Sequence, residues 1–305
     1  MKTFWLLTKR NIKLFFKDKV MFLTSLIAPL ILLVLYTLFL RKVYKDSFVS
    51  MLPPTTSKKV LNGVVGAQLL SSLLSVTCVT VAFCSNMLMV QDKVTGARKD
   101  LDVSPVRQST VALSYYVASV VSTLIVCLVA YAGGCIYVAL SGGWCFRFTD
   151  LLLILLDVII LVLFGTALSS IIHFFLSSQG QISAVGTIVC AGYGFICGAY
   201  MPLSQFSKGL ATLFGFLPGT YGTSLVRNHC FAGVFEKMLD TGYSSEVING
   251  IRDGFDCNLY MFGHGVPQFV SWLVIICSTV LLVGVYILQN VLRGRKIALS
   301  KRASA

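Results

Sequence analysis

The sequence contains little charge. Asp, Glu, Lys and Arg make up only 12% of its 305 residues, whereas hydrophobic residues make up 56%. A soluble globular protein typically has about 25% charged residues. Apolar runs of more than about 18 residues, long enough to cross a bilayer as a helix, recur along the whole chain. The scarcity of charge therefore excludes a water-soluble enzyme and predicts an integral membrane protein.

Acidic residues are especially few. The chain has 12 Asp and Glu against 25 Lys and Arg, which gives a formal net charge of +13. Such a balance can indicate nucleic-acid binding, but here the basic residues cluster at the ends of apolar runs and form no aromatic-interleaved patch. We interpret them as a membrane topology signal, and we expect contact with lipid and no nucleic-acid partner.

Several motifs that carry chemistry are missing from the sequence. It has no G-x-x-x-x-G-K-[ST] phosphate loop, and its three histidines lie far apart without an H-E-x-x-H pattern. The ten cysteines show no C-x-x-C metal spacing. We therefore expect no catalytic residue, no metal site and no cofactor bound by this chain. A catalytic site assembled from residues distant in sequence stays open as an alternative.

Most of the cysteines lie inside apolar runs, where a cysteine is usually a small packing residue. Cys230 and Cys257 differ, because they share one long polar segment. They could form a disulfide if that segment faces an oxidising compartment.

The long apolar runs predict an all-α integral membrane protein with six transmembrane helices in one domain over residues 1–305. The predicted spans are 20–40, 64–90, 111–140, 151–176, 182–201 and 269–292. The first is too long for a typical signal-peptide core, so we expect it to be retained. An even number of spans places both termini on one side, and 15 of the 25 basic residues lie there. This bias predicts cytoplasmic termini in the plasma membrane of a bacterial cell.

The first 19 residues have the pattern of an amphipathic helix. Their basic residues fall within an arc of roughly 100° at 100° per residue, and aromatic and aliphatic residues fill the other side. We predict an interfacial helix with Lys9, Arg10 and Lys13 on its basic side. Trp5 and Phe16 would lie at the headgroup boundary, with the lysines toward the phosphates and the cytosol. It could act only as an orientation anchor, or also as part of a docking surface.

A compact charged stretch, QDKVTGARKDLDVSPVR at 91–107, separates the second and third predicted spans. Its apolar residues at 94, 97 and 101 are spaced i, i+3, i+7, which predicts a short helix with one apolar face. Such a helix could dock into a groove of a soluble partner, or the stretch could be a solvated loop. The candidate contact residues are Val94, Ala97, Arg98, Lys99 and Leu101.

Four stretches of the sequence, taken in order, carry a family resemblance. They are RNIKLFFKDK at 10–19, LIAPLILLVLY at 26–36, DKVTGARKDLDVSPV at 92–106, and a glycine- and proline-containing stretch at 194–228. Each pattern is degenerate, but their succession resembles the membrane subunits of type 2 ABC exporters, and it covers essentially the whole chain.

The resemblance implies a division of labour between subunits. The stretch 91–107 would be the coupling helix that seats in an ATPase subunit, and the outer segment 202–268 would begin with short re-entrant helices between spans five and six. The partners would be two copies of an ABC ATPase, which bind ATP and Mg, and a second permease copy in a homodimer or heterodimer. The solute would be apolar or amphipathic, drug-like or lipid-like, with a polysaccharide or a peptide antibiotic as alternatives.

Polar residues recur in the second span and aromatic residues in the fifth. Polar side chains in a membrane helix usually face other helices or a water-accessible route, and the resemblance places both spans beside the translocation route. Helix packing and pathway lining stay open for each residue. The candidate pathway residues are Gln68, Ser72, Ser75, Asn86, Tyr193, Phe195 and Tyr200.

Asp157 lies inside the fourth predicted span. A carboxylate in a membrane is costly, so it is a functional candidate by default, although it could equally pair with a basic residue. A different class of function also stays open: an ion-coupled carrier or channel would be active without an ATPase and would carry more ionisable residues in its spans.

Overall fold

The computed structural model describes residues 2–43 and 57–303, and within these ranges the chain is almost entirely helical, with one small β-hairpin. The elements are α1 (Lys2–Lys17), α2 (Lys19–Leu35) continued by a π-helical turn (Tyr36–Leu40), α3 (Lys58–Val94), α4 (Ala97–Val103), α5 (Gln108–Leu140), α6 (Phe148–Phe175), α7 (Gln179–Ile196), a 3₁₀ turn (Leu203–Gln205), α8 (Lys208–Gly215), α9 (Pro218–Asp240), α10 (Ser245–Gly254), β1 (Leu259–Met261), β2 (His264–Val266) and α11 (Gln268–Ala303).

Five helices in the described part of the chain, α2, α3, α5, α6 and α11, are long and apolar enough to cross a membrane. The predicted all-α membrane class is thereby confirmed. The helix α7, which corresponds to the predicted span 182–201, has only 18 residues and is not among the five. Glutamines and glycines dilute its apolar side chains, so a sixth crossing stays a prediction.

The helix α7 ends earlier than the sequence predicted. It stops at Ile196, and Gly198 adopts a left-handed φ of +72° that turns the chain away from the helix axis. A Cβ atom on Gly198 would lie 3.0 Å from Oδ2 of Asp256, so the turn needs glycine both for its backbone and for space. The residues up to 201 therefore form a turn outside the helix.

The helix α3 lies at the centre of the fold and is buried along nearly its whole length. It packs against α2, α5, α6, α7 and α9. Many of its hydroxyl groups are satisfied within the helix: Thr77 donates to the Leu73 carbonyl and Thr80 to the Val76 carbonyl. The polar composition of this helix thus accompanies burial inside the protein over most of its surface.

The segment 202–268 is folded and partly buried. Of the two helices expected at its start, α8 is short with 8 residues, but α9 has 23 and begins with Pro218 at its first position. The second helix is therefore longer than the short helix expected there, and a re-entrant arrangement of the two stays a prediction. Because α9 packs against α3, α6 and α11, it forms part of the helical core.

The contacts between helices define two ends of the bundle. At one, which we call the terminal end, α1 contacts the last turn of α3 through Arg10 and Asp92, and α11 contacts α4 through Arg293 and Asp102. The other, which we call the far end, contains the segment from Ala199 to the hairpin.

Candidate functional site

A groove between α2 and α7, with α3 as its floor, has a volume of about 1040 Å³. It extends from Asp18 and Gln179 near the terminal end to Gln205 and Gly254 at the far end. Its lining is mainly apolar, and Asp18 is the one Asp, Glu, Lys or Arg among the described residues that line it. The groove therefore suits an apolar or amphipathic molecule better than a highly charged one.

Two of the predicted aromatic pathway residues line this groove. The ring of Phe195 packs edge-on against that of Tyr200, with centroids 5.1 Å apart, near the far end. Tyr193 does not line it: its buried ring faces α9, where a Cβ on Gly219 would lie 2.6 Å from the Tyr193 hydroxyl. Gly194 leaves room for the Tyr200 ring. This glycine therefore allows the turn after α7 to pack closely against the helix.

The predicted polar pathway residues of α3 lie elsewhere. Gln68, Ser72, Ser75 and Asn86 are buried in the interior and do not line the groove. Asn86 connects three helices, because its amide donates to the hydroxyls of Ser169 (2.6 Å) and Ser170 (2.8 Å) in α6, and its carbonyl accepts from Ser119 (2.9 Å) in α5.

The other three predicted pathway residues of α3, Gln68, Ser72 and Ser75, differ from Asn86. Among the described residues, none forms a hydrogen bond with the Gln68 amide or with the Ser72 and Ser75 hydroxyls. The geometry therefore shows a packing role for Asn86, whereas it assigns no role to these three.

The sequence reasoning missed most residues of the groove. From α7 it is lined by small side chains at helical spacing, with apolar residues of α2 opposite and Cys84, Met87 and Gln91 of α3 below. The signal was present, because five small residues of α7 recur at i, i+3, i+4, i+7 and i+8. These residues are Ser183, Gly186, Thr187, Cys190 and Ala191.

A buried ion pair stands beside the far end of the groove. The Arg227 guanidinium contacts Asp256 (3.2 Å) and donates to the carbonyls of Phe255 (2.8 Å) and Gly198 (2.5 Å). Asp256 also accepts from the backbone N–H of Leu203 at 2.6 Å. Burial raises the pKa of the Asp256 carboxyl, while the Arg227 charge opposes that rise. Sequence reasoning did not select either residue.

The predicted interfacial helix is confirmed as a helix, but one of its residues has a different role. Trp5, Lys9 and Lys13 are exposed and Phe16 is half-buried, whereas Arg10 turns toward the protein. Its guanidinium forms two hydrogen bonds with Asp92 (2.6 and 3.0 Å), which raise the pKa of Arg10. Arg10 thus pairs within the protein, whereas the position of this helix at the membrane interface stays a prediction.

The predicted coupling stretch is also only partly as expected. Gly96, at φ +87°, separates Val94 at the end of α3 from the short helix α4, so Val94 and Leu101 do not share one helical face. Leu101 is half-buried against an apolar cluster that includes residues of α1, whereas Val94 is exposed.

The basic residues of α4 face in opposite directions. Arg98 is buried and bonds Asp102 (3.2 Å) and Gln108 (2.6 Å), which leaves Lys99 exposed and Ala97 half-buried. The surface that α4 presents therefore consists of Lys99, Asp100 and Val103, with Val94 beside it.

Asp157 has a partner that the sequence did not identify. Its Oδ2 atom lies 2.6 Å from Nδ1 of His229 in α9, and both side chains are largely buried. The other oxygen, Oδ1, has no hydrogen-bond partner among the described residues. The interpretation that Asp157 pairs with a basic residue thus agrees with the structure.

Cys230 and Cys257 are both buried free thiols, so the structure contains no disulfide between them. Burial raises the pKa of the Cys257 thiol to about 12. It also raises the pKa of the Cys230 thiol well above its usual value. Both therefore remain protonated packing residues.

Comparison with known proteins adds one match to this geometry. No curated protein matches the chain. A family described as ABC-2 type transporter matches residues 2–231, from α1 through most of α9, and so includes the groove-lining parts of α2, α3 and α7. Because that match covers well over half of a multi-pass membrane chain, the protein belongs to the ABC-2 type transporter family.

Proposed function

We propose that this protein is the permease subunit of an ATP-driven exporter that moves an apolar or amphipathic solute, drug-like or lipid-like, out of the cell. The observation that carries the proposal is the groove along α2 and α7. It runs between the two ends of the bundle, and it is lined mainly by apolar side chains with the Phe195 and Tyr200 rings near its far end.

The proposed assembly has two permease copies and two copies of a separate ATPase, which bind ATP and Mg. The six predicted spans, with α7 as the fifth, place both termini in the cytoplasm of a bacterial plasma membrane. The concentration of Lys and Arg at the terminal end supports this orientation.

In the proposed cycle, the surface of Val94, Lys99, Asp100 and Val103 contacts the ATPase. Movement of α4 on ATP binding reaches the bundle through Arg98, which bonds Gln108 at the start of α5, and through Asp102, which pairs with Arg293 of α11. These polar contacts join α4 to two membrane helices, and shifts of those helices would change access to the groove.

A tryptophan in the groove tests this proposal. We expect Thr187→Trp to reduce ATP-dependent uptake of the amphipathic dye Hoechst 33342 into inverted vesicles at least tenfold, because a large ring would fill space lined by small side chains. The vesicles carry the chain together with an ABC ATPase subunit that copurifies with it.

The matched control is Val280→Trp, because Val280 is an exposed residue of α11 that does not line the groove and its replacement should leave uptake unchanged. Equal uptake by both variants would contradict the assignment of the groove. Uptake without ATP or without the ATPase would favour an ion-coupled carrier instead.

A further inference from the structure

The hairpin at the far end carries an unusual residue in its turn. Strands β1 and β2 pair antiparallel with Met261 opposite His264, which leaves Phe262 and Gly263 as a two-residue turn. Both have left-handed backbones, with φ of 51° and 82°. Asn, Asp and Gly are the usual residues in such turns, because a bulky side chain is strained there. A strained position of this kind points toward a function for the side chain.

The Phe262 ring does not contribute to the protein core, since 73% of the residue is exposed. Its closest aromatic neighbour is Phe216, with ring centroids 5.9 Å apart, and Phe216 is itself exposed. A polar residue at this turn position would adopt the left-handed backbone with less strain. Little packing would be lost with the exposed ring. The phenylalanine is therefore best explained by something outside this chain.

Other exposed apolar residues surround the tip. We call the group the far-end aromatic patch; it consists of Leu210, Leu213, Phe216, Leu217 and Phe262. Helix α8 and the hairpin are held together where Gly215 meets Met261: a Cβ on this glycine would lie 3.2 Å from the methionine sulfur. The patch is thus a surface built from two elements.

The surroundings of the patch indicate what covers it. The hairpin leads through Pro267 directly into α11, a candidate membrane span whose first turns expose Phe269 and Leu273. The patch is therefore close in the chain to a surface that the membrane covers, because the chain from Gly263 to the start of α11 at Gln268 spans at most about 17 Å at about 3.3 Å per residue. Exposed aromatic and aliphatic side chains at this position are typical of a membrane–water interface.

We propose that the far-end aromatic patch inserts into the lipid at the membrane surface, with Phe262 at its leading point. The occupant is the acyl region of the adjacent leaflet. The proposal does not depend on which solute the protein transports. It accounts for both the exposed ring and the strained backbone at the turn.

Fluorescence quenching in phosphatidylcholine vesicles tests the proposal. We expect the emission that Phe262→Trp adds to the wild-type background of Trp5, Trp144 and Trp272 to be strongly quenched when the acyl chains are brominated. Aqueous iodide should quench it little. The control is Asn249→Trp on the exposed side of α10, where we expect the opposite pattern.

Leu213→Trp provides a second probe of the same patch if the variant at the turn fails to fold. An added signal that iodide quenches and brominated lipid does not would overturn the proposal, because the patch would then face water. Protection from both quenchers would also overturn it, because a second copy or another protein would then cover the patch.

Discussion

Asp157 shows how a carboxylate can be accommodated within a long apolar helix. The residue lies between hydrophobic neighbours in α6, yet its Oδ2 atom is 2.6 Å from the His229 ring of α9. The two residues are 72 positions apart, so only the packing of α9 against α6 brings them together. Burial removes both groups from water, and the pair therefore depends on this one contact for most of its polar interaction.

We predict that Asp157→Asn destabilises the protein by about 1–3 kcal/mol, because an amide would weaken the buried hydrogen bond with the His229 ring. Thermal unfolding of the purified protein in detergent would measure this. Adding His229→Gln should cost less than the sum of the two single changes. Asp240→Asn, at the exposed end of α9, serves as the control and should have little effect. Fully additive losses would show that the pair does not act as a unit.

At the scale of the element, α4 shows how a short helix can bury one of its charged residues and expose one of its apolar residues. Arg98 lies over the Tyr115 ring and bonds Asp102 and Gln108, while Val103 is 69% exposed. Because a seven-residue helix has barely two turns, its contacts with α5 and α11 decide its orientation. The exposed valine is the apolar group that α4 offers to a partner.

We predict that Val103→Asp uncouples ATP hydrolysis from transport under the proposed function, because it places a charge on an apolar contact surface. ATP-dependent dye uptake should fall at least tenfold, with membrane insertion and melting temperature unchanged. Leu101→Asp should instead lower the melting temperature, because Leu101 packs against the protein's own core. Unchanged coupling in a correctly folded Val103→Asp variant would remove this surface from the mechanism.

At the scale of the whole molecule, Arg227 joins segments that lie far apart in the sequence. It bonds the turn after α7 through Gly198 and the segment before the hairpin through Phe255 and Asp256. Asp256 in turn accepts from the backbone of Leu203. These contacts hold the far mouth of the groove, because residues adjoining each segment line it.

We predict that Arg227→Met destabilises the protein by about 3–5 kcal/mol, because Asp256 would remain buried without its cation. A melting curve of the purified variant would show the loss, and adding Asp256→Asn should recover part of it. Lys237→Met, a half-buried residue of the same helix with one hydrogen bond to a carbonyl, should cost much less. An equal loss in the two methionine variants would show that the ion pair has no special importance.

How much of the fold and site could be predicted differs from element to element. Apolar runs predicted α2, α3, α5, α6 and α11, because the requirement to bury about 20 residues in a bilayer is local. The amphipathic pattern likewise predicted α1. By contrast, the early end of α7 depends on Gly198 meeting Asp256, and the inward turn of Arg98 depends on Gln108. Neither of these two contacts produces a periodic pattern in the sequence.

The predicted pathway residues also differ in how far the sequence could identify them. Span two was selected for its polar side chains, but a helix buried over most of its surface shows no polar and apolar faces from which a lining could be recognised. The groove is instead formed by residues of three helices, and only Phe195 and Tyr200 had been selected. The small residues of α7 recur at helical spacing and could have indicated the groove. Their meaning becomes clear only once α2 is known to lie opposite them.

The sequence by itself determined that this is an all-helical membrane protein with basic residues concentrated at the chain termini and in the 91–107 stretch, because composition and hydropathy act residue by residue. Only the tertiary structure decided which side chains meet, including the pairs of Arg10 with Asp92 and of Arg227 with Asp256. It also decided that α9 enters the core and that the groove lies between α2 and α7. The physical reason is that a buried charge must find its partner in space, and the packing of the helices brings together residues that are far apart in the chain.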